Sequence, residues 1–477
     1  MDVTISTERP ETESLPSHQL KLPHPGWELV AFLAAVGVVI GLFWWRLLWM
    51  PHMVERVEVQ VLSLTLWWQS GLFPYVHPDA LPVLQNPYGP FYPWLCFQLP
   101  ATATHPYLAG RALSLVAILS TLGLVFYWVR RRTGNGWLAS LCALLPLATK
   151  PLILFAPLHR VDSLGLLLSV GGFVAVTTYP SRCGILLGGA AFLLAFLTKM
   201  TFIAAPLAVA LFFWLSGRRG VAVGSAALTA ITLPAAVAIC EHLSDGAYLA
   251  GAAFGNLPTA WSKSFDMLLR TGLTGFWLAA LATAAAACRF DPRRSPACIY
   301  AATSLAIAAA FAANPLSSWN YLMEPYIALG LLTGEILQTH SLRRRRARSV
   351  LVLLVLHISV TLPMATLWIQ RATEPLPEYR QRYATALQRL PPLLDAAPGA
   401  SASPLVILGS LAGYDALNAL GAPNPVSVPP SLENTQWVSQ AVEQAENAGT
   451  VDVLRGEAWL GSASAELTAS RGDLPAE

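Results

Sequence analysis

Residues 183–219 read CGILLGGAAFLLAFLTKMTFIAAPLAVALFFWLSGRR. Two apolar runs, 183–198 and 200–216, flank a single Lys199. Each is shorter than the roughly 20 residues that a helix needs to cross a bilayer. Taken as one interrupted helix they make a single crossing; taken as two they make a pair, and every later segment changes sides of the membrane. Basic residues arbitrate, because Lys and Arg in short loops are retained in the cytoplasm.

Outward from this stretch, further apolar runs lie at 28–50, 107–129, 136–158, 161–179, 220–241, 266–288, 296–315, 321–338 and 349–370. With the central runs kept apart there are eleven spans. The inner loops then hold Arg130, Arg131, Arg132, Arg182, Arg218, Arg219, Arg289, Arg293, Arg294, Arg343, Arg344, Arg345, Arg346 and Arg348, while the outer connections hold Arg56, Arg160, Lys199 and Lys263. Merging the runs would carry ten of those fourteen arginines outside, so they are read as two spans. The expectation is an all-α polytopic membrane protein of about eleven transmembrane helices. It has a cytoplasmic segment at 1–27, a transmembrane domain at 28–370 and an extracytoplasmic tail at 371–477. An integral, multi-pass protein of a bacterial plasma membrane is the expected setting.

Composition agrees with that class. Of 477 residues 55% are hydrophobic and 12% charged, and the mean hydropathy is +0.51. A formal charge of +3 gives no nucleic-acid footprint. Cys96, Cys142, Cys183, Cys240, Cys288 and Cys298 are scattered singly with no CxxC, which suggests neither a zinc cluster nor a disulfide framework. The first 27 residues are polar and lack a basic flank, so the first apolar run reads as a retained anchor rather than a cleaved leader. Walker A, GxGxxG, HExxH and GxSxG patterns are missing, which removes nucleotide-driven pumps and the familiar hydrolase and zinc-protease signatures.

The acidic residues collect on the other side. Glu55, Glu58, Asp79, Asp162, Glu241, Asp245, Asp266 and Glu324 lie at or near the outer face. Carboxylates hardly steer insertion, so this clustering asks for a separate cause, and an outward chemical or ion-binding surface is one. The first outer connection, 51–106, is far longer than the rest. Its start, VERVEVQVLSLTLWWQSG, reads as a helix at the membrane surface with Glu55, Glu58, Thr65 and Gln69 on one face. Further on, NPYGPFYPWL at 86–95, which contains Tyr88, reads as a rigid aromatic lid or groove wall. In the tail, helices are expected at 374–395, 414–420 and 433–448 and strands at 404–408 and 451–454, together a small α/β module.

Several residues have the chemistry for a site, each with a plainer alternative. Glu55 and Glu58 stand three apart on one side of a helix, which suits a general base at a cavity lip or a solvated polar face. Arg160 and Asp162, at a turn between spans, suit phosphate binding, with Asp162 orienting the arginine or ligating a divalent metal ion; an Arg–Asp helix cap is the alternative. Lys199 is a functional candidate by its depth, or a side chain that snorkels to the interface. Glu324 lies about one turn into an apolar span in SSWNYLMEPYIALGLL, so it faces a wet cavity or a partner, with Asn320 and Tyr321 able to hydrogen-bond nearby.

In this order, the anchor span, the acidic first loop, SGLFPY, YGPFYP, GRALSL, HRVDSLGLLL, LTKMTF and NYLMEPYIALGLL resemble the GT-C superfamily of membrane glycosyltransferases. The likeness is to the branch of protein O-mannosyltransferases and the aminoarabinose and lipopolysaccharide-core sugar transferases, over roughly residues 28–370. It implies transfer of a sugar from a polyprenyl-phosphate donor to a lipid, glycan or protein acceptor on the outer face, with a first-loop acid as general base. That role carries to Glu58 first and Glu55 second. The sequence departs from the Asp-Glu doublet of the mannosyltransferases, with Val54-Glu55 and Val57-Glu58 in its place.

The residues fit such chemistry independently of the resemblance. A departing phosphate needs cations, which Arg160 and Lys199 supply on the outer side. Asp162 and Glu324 can bind sugar hydroxyls, and the aromatics around Tyr88 can close the pocket. A base on the opposite face of the sugar would give inversion at the anomeric carbon. The competing expectation is a secondary transporter with Lys199 and Glu324 as coupling or substrate groups; transporters show paired halves, and the 51–106 loop has no second copy.

Overall fold

The computed structural model describes residues 27–50, 54, 56–69, 75, 88–99, 105, 107–252, 291–313 and 319–338. It also describes scattered positions between 261 and 285, residues 354 and 357, and strands at 405–408, 426–428 and 452–455. The expectations for Glu55, for spans 266–288 and 349–370, and for the tail helices fall outside these residues, wholly or in large part.

Helices follow in chain order as α1 (Trp27–Leu48), α2 (Arg56–Gln69), α3 (Phe91–Phe97), α4 (Leu108–Thr133), α5 (Gly136–Leu144), α6 (Lys150–Phe155) and α7 (Asp162–Thr178). They continue as α8 (Arg182–Thr198), α9 (Ala204–Leu215), α10 (Arg219–Leu243), α11 (Ala247–Ala252), α12 (Pro296–Ala312) and α13 (Met323–Gln338). The three tail strands are parallel, with the one at Leu405–Leu408 in the middle. Local chemistry places the helix ends. Gly134, left-handed at φ 67°, closes α4 through its N–H to Arg130 O, and Asn135 then caps α5 by accepting from Leu138 N at 3.0 Å. Ser181 and Ser295 cap α8 and α12 in the same way.

The single span expected at 136–158 is broken. Pro146 sits in a 3-10 turn at Leu145–Ala148, Thr149 is extended, and α6 restarts with Pro151 in its first turn. Proline supplies no N–H to an α-helical ladder, so two prolines five residues apart cannot both lie inside one regular helix without leaving carbonyls unpaired. The break at Lys199 is also real: α8 ends at Thr198, Lys199 is extended, and α9 starts at Ala204.

Glycines let α7 and α8 approach closely. A Cβ on Gly188 would come within 2.3 Å of Val176, and one on Gly172 within 2.4 Å of Phe192. Helix α7 also packs on α4, while α9 packs on both α10 and α12. Trp128, Phe173 and Tyr300 fill the centre, with Phe173 stacked on Tyr300 at 4.6 Å. On the outside the pattern inverts. Val116 on α4, Leu186 and Leu187 on α8, and Ile231 on α10 are each more than 60% exposed. Aliphatic side chains displayed this way on several helices suit hydrocarbon rather than water. Helices α4 and α10 are each long and apolar enough to cross a membrane.

At the arginine-rich end of α4, Arg132 pairs with Glu335 of α13, which also takes hydrogen bonds from Ser295 Oγ and Ala297 N. This acidic partner among the clustered arginines is not anticipated from the sequence. It ties α4, α12 and α13 together at the end away from the site.

Candidate functional site

The site forms where helices stop. Asp162 opens α7, Lys199 follows the last residue of α8, and the 3-10 turn Trp319–Leu322 leads into α13. Lys199 N closes α8 through Ala195 O at 2.9 Å, while its extended backbone sends the side chain across to α7. There Lys199 Nζ donates to Asp162 Oδ1 at 2.8 Å, and Asn320 Nδ2 donates to the same oxygen at 2.8 Å. Arg160 Nε donates to Asp162 Oδ2 at 2.9 Å. Two cations therefore share one carboxylate, and all three side chains are at least 95% buried. Holding two buried cations on one buried carboxylate is costly in the interior unless each is well matched by its partners.

Aromatic rings flank the cations. Lys199 Nζ lies 4.3 Å from the Tyr321 ring centre and 5.9 Å from that of Tyr88, and the Arg160 guanidinium lies 4.8 Å from the Phe155 ring. Tyr88 is held by a strap: its carbonyl accepts from Tyr75 Oη at 2.6 Å, and Gly89 N donates to Thr198 O at 3.0 Å. Gly89 passes so close to α8 that a Cβ would sit 1.8 Å from Leu197 O, so only glycine fits there.

Glu324 occupies the first turn of α13, 7% exposed. Its Oε1 accepts from Ser169 Oγ at 2.6 Å and from Tyr300 Oη at 2.8 Å. Asp162, Lys199, Thr201, Asn320, Tyr321 and Glu324 line one cavity, in which the centre of a water molecule has about 20 Å³ to move. That is room for about one water. A second, open-sided groove of about 490 Å³ runs between α8 and α10, lined by Phe196, Leu233, Pro234 and Val237, with Glu241 and Leu249 at one end. Phe196 stands three residues before Lys199, so groove and cavity share the end of α8.

Of the residues singled out by sequence, Asp162, Lys199, Asn320, Tyr321 and Glu324 meet at this cavity, with Arg160 on Asp162 and Tyr88 over Lys199. Glu58 does not line it. The polar face of α2 turns into the protein: Glu58 is 0% and Thr65 3% exposed, where the sequence allows a solvated face or a cavity lip. Glu58 Oε1 accepts from Arg111 Nε and His159 N, both at 2.8 Å. Its Oε2 accepts from Arg111 Nη2 at 2.8 Å and from Val54 N at 2.7 Å. Burial opposes ionisation of this carboxyl, but the Arg111 charge with these hydrogen bonds outweighs it and holds the group below the usual carboxylate range. Arg111 Nη1 reaches on to Leu47 O and Met50 O, so the clamp joins α1, α2, α4 and the 159–162 turn.

Arg111 is the residue that sequence reasoning misses. It lies in GRALSL, and nothing local announces a partner 53 positions earlier in the chain. Beside it His159 is 1% exposed, packed against the Tyr92 and Tyr107 rings, and neither ring nitrogen has a hydrogen-bond partner. Burial pushes the imidazole down to about 4, against the pull of Glu58 and with the help of the Arg111 charge. Among the described residues no three His, Cys, Asp or Glu side chains are grouped to hold a metal ion. Both Asp162 oxygens are taken up by cations and an amide, which does not fit a metal ligand.

No family model matches the sequence, and no curated protein does. Solved structures do resemble it. ArnT from Cupriavidus metallidurans bound to undecaprenyl phosphate superposes with a TM-score of 0.61 at 15% identity, covering 89% of this chain and 90% of that one. The same protein in its apo state gives 0.60 at 15% identity, over 90% of each chain. The archaeal oligosaccharyltransferase AglB from Archaeoglobus fulgidus, in complex with an inhibitory peptide and a dolichol-phosphate, gives 0.53 at 12% identity, over 90% of this chain and 69% of that one. The helical body built around the Lys199 break thus shares its fold with these solved proteins.

Proposed function

We propose that this chain is a membrane glycosyltransferase that moves a sugar from a polyprenyl-phosphate-linked donor to a lipid, glycan or protein acceptor at the outer face of a membrane. The observation that carries the reading is the buried Arg160–Asp162–Lys199 group, in which one carboxylate holds two cations beside a cavity at a helix break. A glycosyl phosphate presents an anion at the bond to be cleaved, and buried cations aimed at it gain most as its charge grows on departure. Asp162 keeps the two cations at a fixed spacing. Asn320 and Tyr321 then present polar atoms to the sugar.

The open groove beside α8 supports the lipid half of the donor, since an isoprenoid chain laid against Phe196 and Val237 would bring its phosphate toward Lys199. The solved proteins of like fold hold undecaprenyl phosphate and dolichol-phosphate. In this reading the cavity and the 371–477 tail face the exterior and the arginine-rich loops the cytoplasm. A sugar needs more room than one water, so the Tyr88 strap or the 319–322 turn must yield on entry. Glu58, with each oxygen accepting two hydrogen bonds, acts by holding the 159–162 turn in place rather than by taking a proton.

Binding of undecaprenyl phosphate to the full-length protein in lipid nanodiscs tests the reading. Lys199→Gln removes a charge-assisted contact of about 1.5–3 kcal/mol and is expected to weaken binding by roughly 10- to 150-fold. Unchanged affinity in both Lys199→Gln and Arg160→Gln would refute it.

A further inference from the structure

We infer that Glu324 is the general base of this site, the group that takes the proton from the acceptor hydroxyl; the inference rests on the transferase reading above. Three described carboxylates stand at or beside the site, and their partners separate them. Glu58 is 0% exposed and accepts four hydrogen bonds, two of them from Arg111. Asp162 is bound to Arg160 on one oxygen and to Lys199 and Asn320 on the other. A proton arriving at either would displace a cation. Among the described residues Glu324 touches no cation. Its Oε1 is fixed by two neutral hydroxyls, Ser169 on α7 and Tyr300 on α12, while Oε2 receives no hydrogen bond from the described residues.

A carboxylate 93% buried, lining a cavity, with one oxygen pinned from two helices and no described donor on the other, is costly as a structural element. It is suited to accept a proton from something that enters the cavity. The same small space touches Lys199, so proton acceptor and phosphate-binding cation border one reacting centre. In the step, the acceptor O–H bond breaks with its proton passing to Glu324 Oε2, and the acceptor oxygen bonds to the anomeric carbon. The bond from that carbon to the phosphate oxygen breaks, its electron pair leaving with the polyprenyl phosphate beside Lys199 and Arg160. The proton then passes to water as product departs, and no redox partner is needed.

The test uses the full-length protein in nanodiscs, a panel of undecaprenyl-phosphate monosaccharides as donors, cell-envelope extract as acceptor, and undecaprenyl phosphate itself as the binding probe. Glu324→Gln is expected to lower kcat by about 10²–10⁴-fold with affinity for undecaprenyl phosphate held within about threefold, and Glu324→Asp to regain at least about tenfold. Retention of a tenth or more of wild-type kcat in Glu324→Gln overturns the inference. So does parallel loss of probe binding and turnover with no recovery in Glu324→Asp, the behaviour of a structural prop. If the Glu324 variants fail to fold, Tyr300→Phe and Ser169→Ala keep the carboxylate but release its anchored oxygen. They are expected to lower kcat by about tenfold at constant KM, and unchanged kcat in both refutes the role. A wild-type protein that neither binds the probe nor consumes any donor defeats the transferase reading itself, a result distinct from an active wild type with an active Glu324→Gln.

Discussion

Removing Arg111 separates the two roles open to Glu58. If Glu58 is a base, Arg111 only modulates it; if the pair is a clamp, either partner is as necessary as the other. Arg111→Met would leave a fully buried carboxylate facing two backbone N–H groups and no cation, and Glu58→Gln would leave a fully buried guanidinium. Stranding one member of a buried pair costs about 3–5 kcal/mol. The double variant Glu58→Gln, Arg111→Met strands no charge. Its amide oxygen still accepts from His159 N or Val54 N, leaving about 1–3 kcal/mol for the unmatched backbone groups. The two single costs should therefore exceed the double by about 3 kcal/mol or more. Reversible unfolding in mixed detergent micelles reads these differences. Donor turnover should fall in all three, because each loosens the turn that carries Arg160 and Asp162. The sign with pH follows from the depressed Glu58 value: its stabilisation is complete above the unfolded carboxyl value of about 4.3 and is lost as pH falls through the lower folded one. The double variant should lack that acid limb. Additive single costs, or a Glu58→Gln protein as stable as wild type yet inactive beside an active Arg111→Met, would refute the clamp.

Two further substitutions probe the surroundings. His159 stays neutral when folded down to about 4, so the unfolded chain binds the extra proton between about 6.5 and 4 and stability should decline across that window as pH falls, by up to about 3 kcal/mol. His159→Phe should flatten that decline and be neutral or stabilising at pH 7, since it removes two unpartnered ring nitrogens; urea titrations at several pH values would show a persisting slope if the reasoning fails. Gly89→Ala drives a methyl into the Leu197 carbonyl and should lift Tyr88 from Lys199, raising the donor KM with little loss of fold; an unchanged KM would show that the strap does not cover the site.

The helical class is legible in the sequence, because apolar run length does not depend on distant contacts, and the solved structures that superpose on the chain are helical proteins of the same fold. The Lys199 break is legible too, from the sidedness of the arginines on either reading of 183–219. What escapes is whatever depends on what a face meets. The spacing of Glu58 and Thr65 places them on one side of α2, but not whether that side meets water or Arg111. Periodicity reports which residues share a face, and the opposing surface belongs to another part of the chain. The helix break inside the span expected over 136–158 has a local cause that the sequence carries, Pro146 and Pro151, which hydropathy does not weigh.

The three carboxylates show why residue type alone could not assign roles. Each is an acidic residue at or near the outer end of an apolar element, and each has the reach of a base. They differ in how many described cations hold them: Arg160 and Lys199 both hold Asp162, Arg111 grips Glu58 through two nitrogens, and Glu324 has only hydroxyls among the described residues. In a medium where each buried charge must be matched, that difference divides the labour. In the proposed function the acid with two cations sets the spacing of a phosphate site, the one locked to a single guanidinium fixes a turn, and the one with no described cation is left to trade a proton. The partner set is a property of the folded chain, since Arg111, Ser169 and Tyr300 come from three helices remote in sequence from the acids they serve.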